Sequence, residues 1–247
     1  MNESETSNEI PEKLRRCWHP VSYSETLEPE KPLPVKLLNE LLVVWRTGDG
    51  SPQAMQDLCI HRGTALSLGH LVDDCIVCPY HGWRYDPSGA CTLIPQTDSE
   101  NIPSKARVVT YRCQERYGLI WVALEDPVYP LPHVPELEDD TWQVIHTGPH
   151  VWDCDASRQL ENFTDFGHFP WVHPGLLGDI ARPVVPDHTV EARGHVLHYS
   201  VVRPEATNSE EFPIFANEDE SVPERRSRYE VHCPYTLALR LGWGGEK

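Results

Sequence analysis

"CIHRGTALSLGHLVDDCIVCPYHGW", residues 59–83, decides how this chain is read. Cys59 and His61 stand two apart, Cys78 and His81 three apart, with sixteen residues between His61 and Cys78. Structural zinc sites group like ligands with like, as C-x(2–4)-C and H-x(3–5)-H. Here each half is mixed. An iron–sulfur cluster with two thiolates on one iron and two imidazoles on the other matches this composition, each loop giving one sulfur and one nitrogen. Gly63 and Gly82 follow closely on the histidines, where tight loops need small or positive-φ residues, and Pro79 stiffens the second loop. Zinc is the competing occupant, and four unrelated residues the third reading.

The rest of the chain bounds the possibilities. Its 247 residues suffice for one large or two ordinary domains. No apolar run approaches the length a bilayer requires, so no transmembrane helix is expected. The N-terminus, "MNESETSNEI", has neither the layout of a signal peptide nor the arginines of a transit peptide, and a cytoplasmic protein is expected. A net charge of -17 argues against nucleic acid or an anionic membrane as partner. Eight cysteines in such a chain point to metal or catalytic roles for clustered ones rather than a disulfide framework. Cys17, Cys91, Cys113, Cys154 and Cys233 stand alone and read as ordinary small residues.

Residues 1–13 read as a disordered acidic tail. From there to about residue 125 short extended segments dominate: "LLVVW" (41–45), "CIVC" (75–78) and "ARVVTYRCQERYGLIWVAL" (106–124) read as antiparallel strands, with "RTGDGS" (46–51) as a hairpin turn. The proline- and acid-rich stretch 125–140 reads as a connection. Beyond it "WQVIHTG" (142–148) and "HVWDCD" (150–155) look like strands. "ASRQLENFTDFGHF" (156–169) looks like a helix with Leu160, Phe163, Phe166 and Gly167 on one face. "TVEARGHVLHYSVVR" (189–203) and "RSRYEVHCPYTLALRLGW" (226–243) read as long strands around an acidic loop. There is no GxGxxG and no P-loop.

Within the helical segment, His168 and His173 are five apart, about 140° around a regular helix. One metal takes both only if the helix ends between them, and Pro170 provides for that, with His168 on the last turn and His173 beyond it. Asp165 is three residues before His168, on the same helical face.

"CIHRG" with "CPYHGWRYD" resembles the Rieske [2Fe-2S] motif, and "ENFTDFGHFPWVHPG" resembles the mononuclear iron motif N-x2-D-x2-H-x4-H of Rieske non-heme oxygenases. The resemblance implies an α+β chain: an all-β Rieske domain over residues 14–125, then a helix-grip, START-like catalytic domain over 126–247. It implies Cys59 and Cys78 on the inner iron, His61 and His81 on the outer, and His168 and His173 on a mononuclear Fe(II) with positions open for O₂. Asn162 completes the second motif, and Asp165 would bridge to a cluster histidine, His81, of a neighbouring subunit in a homotrimer. Thr64 and Tyr80 stand where the high-potential subtype has a disulfide, and Trp83 where it has a hydrogen-bonding serine. That places the potential toward the low end of the Rieske range, about -150 mV. "HFPWVHPGLLGD" is most similar to terminal oxygenase subunits that hydroxylate or demethylate aromatic and polycyclic compounds, fed by a separate NAD(P)H-dependent reductase or ferredoxin. The family's third iron ligand is a carboxylate on a late helix. Asp179, Asp187, Glu191 and Asp219 do not match its position, so an incomplete catalytic domain is expected. A Rieske electron carrier with a non-catalytic second domain is the alternative.

Overall fold

A computed structural model describes residues 11–97, 101–174, 177–204 and 224–243. They fall into two compact units that divide between Leu131 and Pro132. The expected tail lies outside the described residues except at its end, where Glu12 and Lys13 already belong to a 3-10 turn, Glu12–Arg16. Arg15 anchors that turn, donating to Glu40 and Glu125 at 3.0 and 2.9 Å.

The first unit is built from ten strands: β1 (His19–Tyr23), β2 (Leu33–Leu37), β3 (Glu40–Arg46), β4 (Pro52–Gln56), β5 (His70–Val72), β6 (Cys75–Val77), β7 (Arg84–Tyr85), β8 (Cys91–Leu93), β9 (Thr110–Arg116) and β10 (Leu119–Ala123). Six form an antiparallel sheet in the order β1-β10-β9-β4-β3-β2, and β5 to β8 form a second, four-stranded meander. The unbroken apolar run of β3 has a physical reason: the strand is covered on both faces. Leu42 and Val44 pack with Ala54, Ile120 and Val122. Val43 and Trp45 pack on the other face with Met55, Ile76, Cys59, Cys78 and Tyr85. The Trp45 indole donates to the Asp74 carbonyl at 3.0 Å, joining the two sheets. The "RTGDGS" hairpin forms as expected, with Asp49 accepting from Thr47 and Ser51.

The second unit contains α1 (Ala156–Thr164), α2 (Phe169–Val172) and four strands, β11 (Glu191–Arg193), β12 (Val196–Pro204), β13 (Glu224–His232) and β14 (Thr236–Trp243), in an antiparallel meander. Three expectations are corrected here. The segments 142–148 and 150–155 form no strand and bend at Trp142, Asp153 and Cys154. Gly148–Pro149 interrupts them, and Ile145 and Val151 face solvent, 75% and 99% exposed, with no partner strand among the described residues. Each of the two long strands is a hairpin. Gly194, at φ +62°, turns the first, and Pro234, which has no N–H for a ladder, sits in the turn of the second. The helix ends at Thr164 rather than running to residue 169. Of its expected face only Phe166 is buried, and it lies beyond the helix; Phe163 is exposed. The acidic loop after β12, including Asp219, lies outside the described residues.

Candidate functional site

The two halves of the 59–83 stretch fold alike. In the first loop the Cys59 N–H donates to the Thr64 carbonyl and the Gly63 N–H to the Cys59 carbonyl, both at 2.8 Å. In the second, the Cys78 N–H donates to Trp83 at 2.8 Å and the Gly82 N–H to Cys78 at 3.0 Å. The same two ring closures, four and five residues on, recur in each. Gly63 and Gly82 take φ of +75° and +72°, which a side chain would strain. Only the histidine's place differs by one position. Asp57, buried just before the first loop, accepts from the Ser67 N–H and hydroxyl at 2.7 and 2.6 Å and fixes the loop's base.

These loops bring the four expected residues together. Cys59 and Cys78 are both buried, and the His61 and His81 rings lie 4.6 Å apart. His61 Nδ1 is buried without a hydrogen-bond partner. Such an atom is costly unless something binds it. Burial, then His81 and Arg62, hold the His61 imidazole below its usual range, so it is neutral and has a lone pair to give. Burial pushes the Cys78 thiol up, so a thiolate needs a bound cation there. Among the described residues no three His, Cys, Asp or Glu side chains are grouped to hold one ion. Cys78 contacts Cys59 and the His61 ring contacts that of His81, and donors paired in this way suit a two-iron cluster. The residues fit that group.

Two neighbours, Tyr85 and Gln96, went unread in the sequence, and Trp83 was read only in part. Tyr85 is buried, and its hydroxyl lies 3.1 Å from Cys59 Sγ. Burial, then Cys59, push its phenol up, so it keeps its proton and would donate to a cluster-bound Cys59 thiolate. This contact stands beside the missing serine: the site has one hydroxyl near a ligand sulfur and none at position 83. Trp83 is more than the absence of a serine: its ring stacks on His61 at 4.7 Å and 3°. Gln96, from the loop after β8, bonds the second histidine loop twice, at the His81 carbonyl and the Trp83 indole. The period-two step from Trp83 to Tyr85 signals the tyrosine, whereas nothing in the motif points to Gln96.

The second pair of histidines is set by a turn. Asp165 caps α1 in an extended conformation, and its Oδ1 accepts from the Gly167 N–H at 2.7 Å, an Asx turn that stops the helix. Asp165 therefore meets His168 through a turn rather than on a helical face. His168 is the N-cap of α2 and His173 its C-cap, with Pro170 in the first turn, where proline is tolerated. One helical turn thus separates the rings, which lie 5.5 Å apart. His168 Nδ1 donates to Asp165 Oδ2 at 3.1 Å, which leaves Nε2 as its lone-pair nitrogen. The Gly167 amide, and after it His168, hold the Asp165 carboxyl below the usual carboxylate range. Asn162 is exposed on the last turn of α1.

Buried Phe166 pins the turn to the sheet, against Val201 and Tyr229. Buried Arg225 donates to the Leu177 carbonyl at 3.1 Å and holds the chain after His173. A cavity of about 370 Å³ beside α2 is lined by Phe166, Pro170, Leu177, Val184 and Arg203, and another of about 790 Å³ by charged residues such as Glu230 and Arg240. His168 and His173 line neither. The two imidazoles suit an iron or other divalent ion, but no carboxylate joins them among the described residues.

Known proteins match both sites. The Rieske [2Fe-2S] domain family matches residues 17–112, and the vanillate O-demethylase oxygenase C-terminal domain family residues 152–246. Methylxanthine N1-demethylase NdmA of Pseudomonas putida is 44% identical over 189 residues, 72% of this chain and 54% of that protein. Methylxanthine N3-demethylase NdmB of the same organism is 38% identical, over 67% of this chain and 50% of that protein. The chain thus spans about half the length of these curated relatives. A solved structure of an NdmA mutant with caffeine, 35% identical, superposes with a TM-score of 0.82 over 97% of this chain and 68% of the other. Dicamba monooxygenase, at 24% identity and a TM-score of 0.75, shares the fold. With both domain families in this order and structural relatives aligned along nearly its whole length, the chain belongs to the Rieske non-heme iron oxygenases.

Proposed function

We propose that this chain is the terminal oxygenase of a multicomponent system that oxidatively demethylates an aromatic, nitrogen- or oxygen-methylated compound. The overall reaction takes the methylated substrate, O₂, NAD(P)H and a proton to the demethylated product, formaldehyde, water and NAD(P)⁺. A separate reductase or ferredoxin is the electron donor, and the working assembly is a homotrimer. Cys59, Cys78, His61 and His81 hold the [2Fe-2S] cluster, and His168 and His173 hold the mononuclear iron. When bound, these groups supply one-electron storage and O₂ activation.

The chain's own residues set the conditions. Asp165 fixes the His168 tautomer through Nδ1, so that Nε2 keeps the lone pair that would bind the iron. Its carboxylate is half exposed while it does so; Oδ1 takes the Gly167 amide and Oδ2 His168, and the lone pairs left on each oxygen can meet the partner subunit's His81. This observation carries the proposal: an ionised carboxylate, held on a metal-binding imidazole and open to a second partner, is what a connection between two metal sites requires. Phe166 and Arg225 keep the two histidines in place on the sheet.

The absence of a third donor among the described residues favours one rival, an electron carrier whose second unit holds no iron. Iron counting separates the two. About three irons per chain, with O₂-dependent release of formaldehyde from an N- or O-methylated aromatic, supports the oxygenase. About two irons, a red-brown cluster spectrum and no turnover supports the carrier, and a colourless protein with one zinc refutes both.

A further inference from the structure

We infer that Gln96 is a positioning residue that braces the second cluster-histidine loop at His81 and Trp83, and through the Trp83 ring the imidazole of His61 in the first. It rests on the assignment of His61 and His81 as cluster ligands, and no part of the sequence motif contains it.

The geometry is specific. Gln96 lies in the turn Ile94–Thr97 that follows β8, closed by the Thr97 N–H to the Ile94 carbonyl at 3.2 Å. Ile94 packs into the core that also holds Cys59 and Cys78. Pro95 lies over Gly82 so closely that a Cβ on Gly82 would sit 3.1 Å from Pro95 Cγ. The turn is therefore seated on the second ligand loop before Gln96 makes any bond.

From that seat the Gln96 amide uses both its ends. Its Nε2 donates to the His81 carbonyl at 2.6 Å. Its Oε1 accepts from the Trp83 indole N–H at 3.2 Å. Trp83 lies flat on His61. One side chain thus holds the backbone of one imidazole directly and the ring of the other through an indole. The bond to His81 fixes where its Cα stands. The bond to Trp83 fixes the plane on which His61 rests. Both act on the histidine side, while Tyr85 acts on the cysteine side. Groups that orient a metal's ligands without touching the metal change affinity by about 10–100-fold when lost.

The chemistry requires an amide. Alanine loses both arms. Glutamate keeps the acceptor for the indole but has no proton for the His81 carbonyl, so it opens one arm alone. Trp83→Phe keeps an aromatic face on His61 and loses only the indole donor.

The experiment uses the full chain with its cluster, reduced and examined by electron paramagnetic resonance, by redox titration, and by the rate at which a ferrous chelator bleaches the visible band. Gln96→Ala is expected to broaden or split the resonance and to speed bleaching about tenfold. Trp83→Phe is expected to do less, and to add little when combined with Gln96→Ala, because both remove the same arm. If Gln96→Ala does not retain a cluster, the isosteric Gln96→Glu decides: a shifted resonance with the cluster retained supports the brace. An unchanged resonance, potential and bleaching rate in Gln96→Ala or Gln96→Glu overturns it, as does full additivity with Trp83→Phe. A wild-type chain with no Rieske spectrum overturns the ligand assignment instead, so the two failures are distinct.

Discussion

Replacing Tyr85 by Phe removes one oxygen atom from a buried site and little else. The Tyr85 ring is fully buried, so Phe fills the same space and the core keeps its packing. What disappears is the contact at 3.1 Å to Cys59 Sγ. A hydrogen bond to a charged acceptor contributes about 1.5–3 kcal/mol. Reduction adds negative charge to the cluster and its sulfurs, so the bond is stronger in the reduced state. If a third to a half of that energy distinguishes the two states, Tyr85 favours reduction by about 0.5–1.5 kcal/mol. For a one-electron couple 59 mV corresponds to a tenfold change, or about 40 mV per kcal/mol. Tyr85→Phe should therefore lower the potential by roughly 20–60 mV. Spectroelectrochemical titration of the wild type and the variant under one buffer measures this directly. The visible spectrum should keep its Rieske form, since all four ligands are untouched. A potential that is unchanged or raised would refute the claim that the phenol donates to the cluster thiolate.

Three further outcomes are expected. Gly178→Ala places a Cβ 2.5 Å from the Pro170 nitrogen, so α2 must shift. That should cost about 1–3 kcal/mol of stability in the second unit and lower mononuclear iron content while the cluster absorption stays, read by melting and metal analysis. Asp165→Ala should leave the cluster spectrum intact and abolish turnover, whereas Asp165→Asn, which still accepts from His168 Nδ1, should retain iron but turn over about 10–100-fold more slowly; wild-type turnover in the alanine variant sinks the bridging role. Arg240 holds the Glu136 carboxyl below its usual range by a two-pronged bond. A depressed carboxylate stabilises the folded state above the unfolded value near 4.3 and loses that contribution as pH falls through the folded value. Glu136→Gln should therefore cost about 0.5–1 kcal/mol at pH 7, discounted for solvent screening, and progressively less as the pH is taken below the unfolded value, as chemical denaturation over a pH series will show.

The legible parts of this chain were those where spacing along the sequence is itself the geometry. Cys59, His61, Cys78 and His81 are brought together by two loops whose closures lie within five residues, so a local pattern announced them. β3 was legible because a strand covered on both faces must be apolar throughout. The helix end was misplaced because apolar periodicity continues through Phe166, while the Asx turn at Asp165–Gly167 acts through a side chain that periodicity ignores. The segment 142–155 was misread because its apolar residues have strand character, yet no strand pairs with them among the described residues. Gln96 and Arg225 were illegible for a different reason. Each supports a ligand by bonding a carbonyl far along the chain or in the next loop, and such a bond leaves no periodic trace.

Both candidate centres rest on the same construction. A regular element stops, β6 in one case and α1 in the other, and the ligand histidine follows within four residues of its end. A short turn closed by a glycine amide gives the stop, Gly82 to the Cys78 carbonyl and Gly167 to the Asp165 carboxylate. A buried aromatic ring then nails the turn to a sheet, Tyr85 or Phe166. Finally a polar side chain from a distant segment grips a carbonyl beside the ligand, Gln96 at His81 and Arg225 at Leu177. The physical demand is common to both. A histidine inside a helix or strand has its direction fixed by the element, and two of them five apart point away from each other. A histidine just outside one can be aimed, but only if its backbone has lost its freedom, which costs roughly 1–2 kcal/mol per residue. The glycine closure, the aromatic anchor and the carbonyl grip together offset that cost, and each is supplied by a residue that never touches metal.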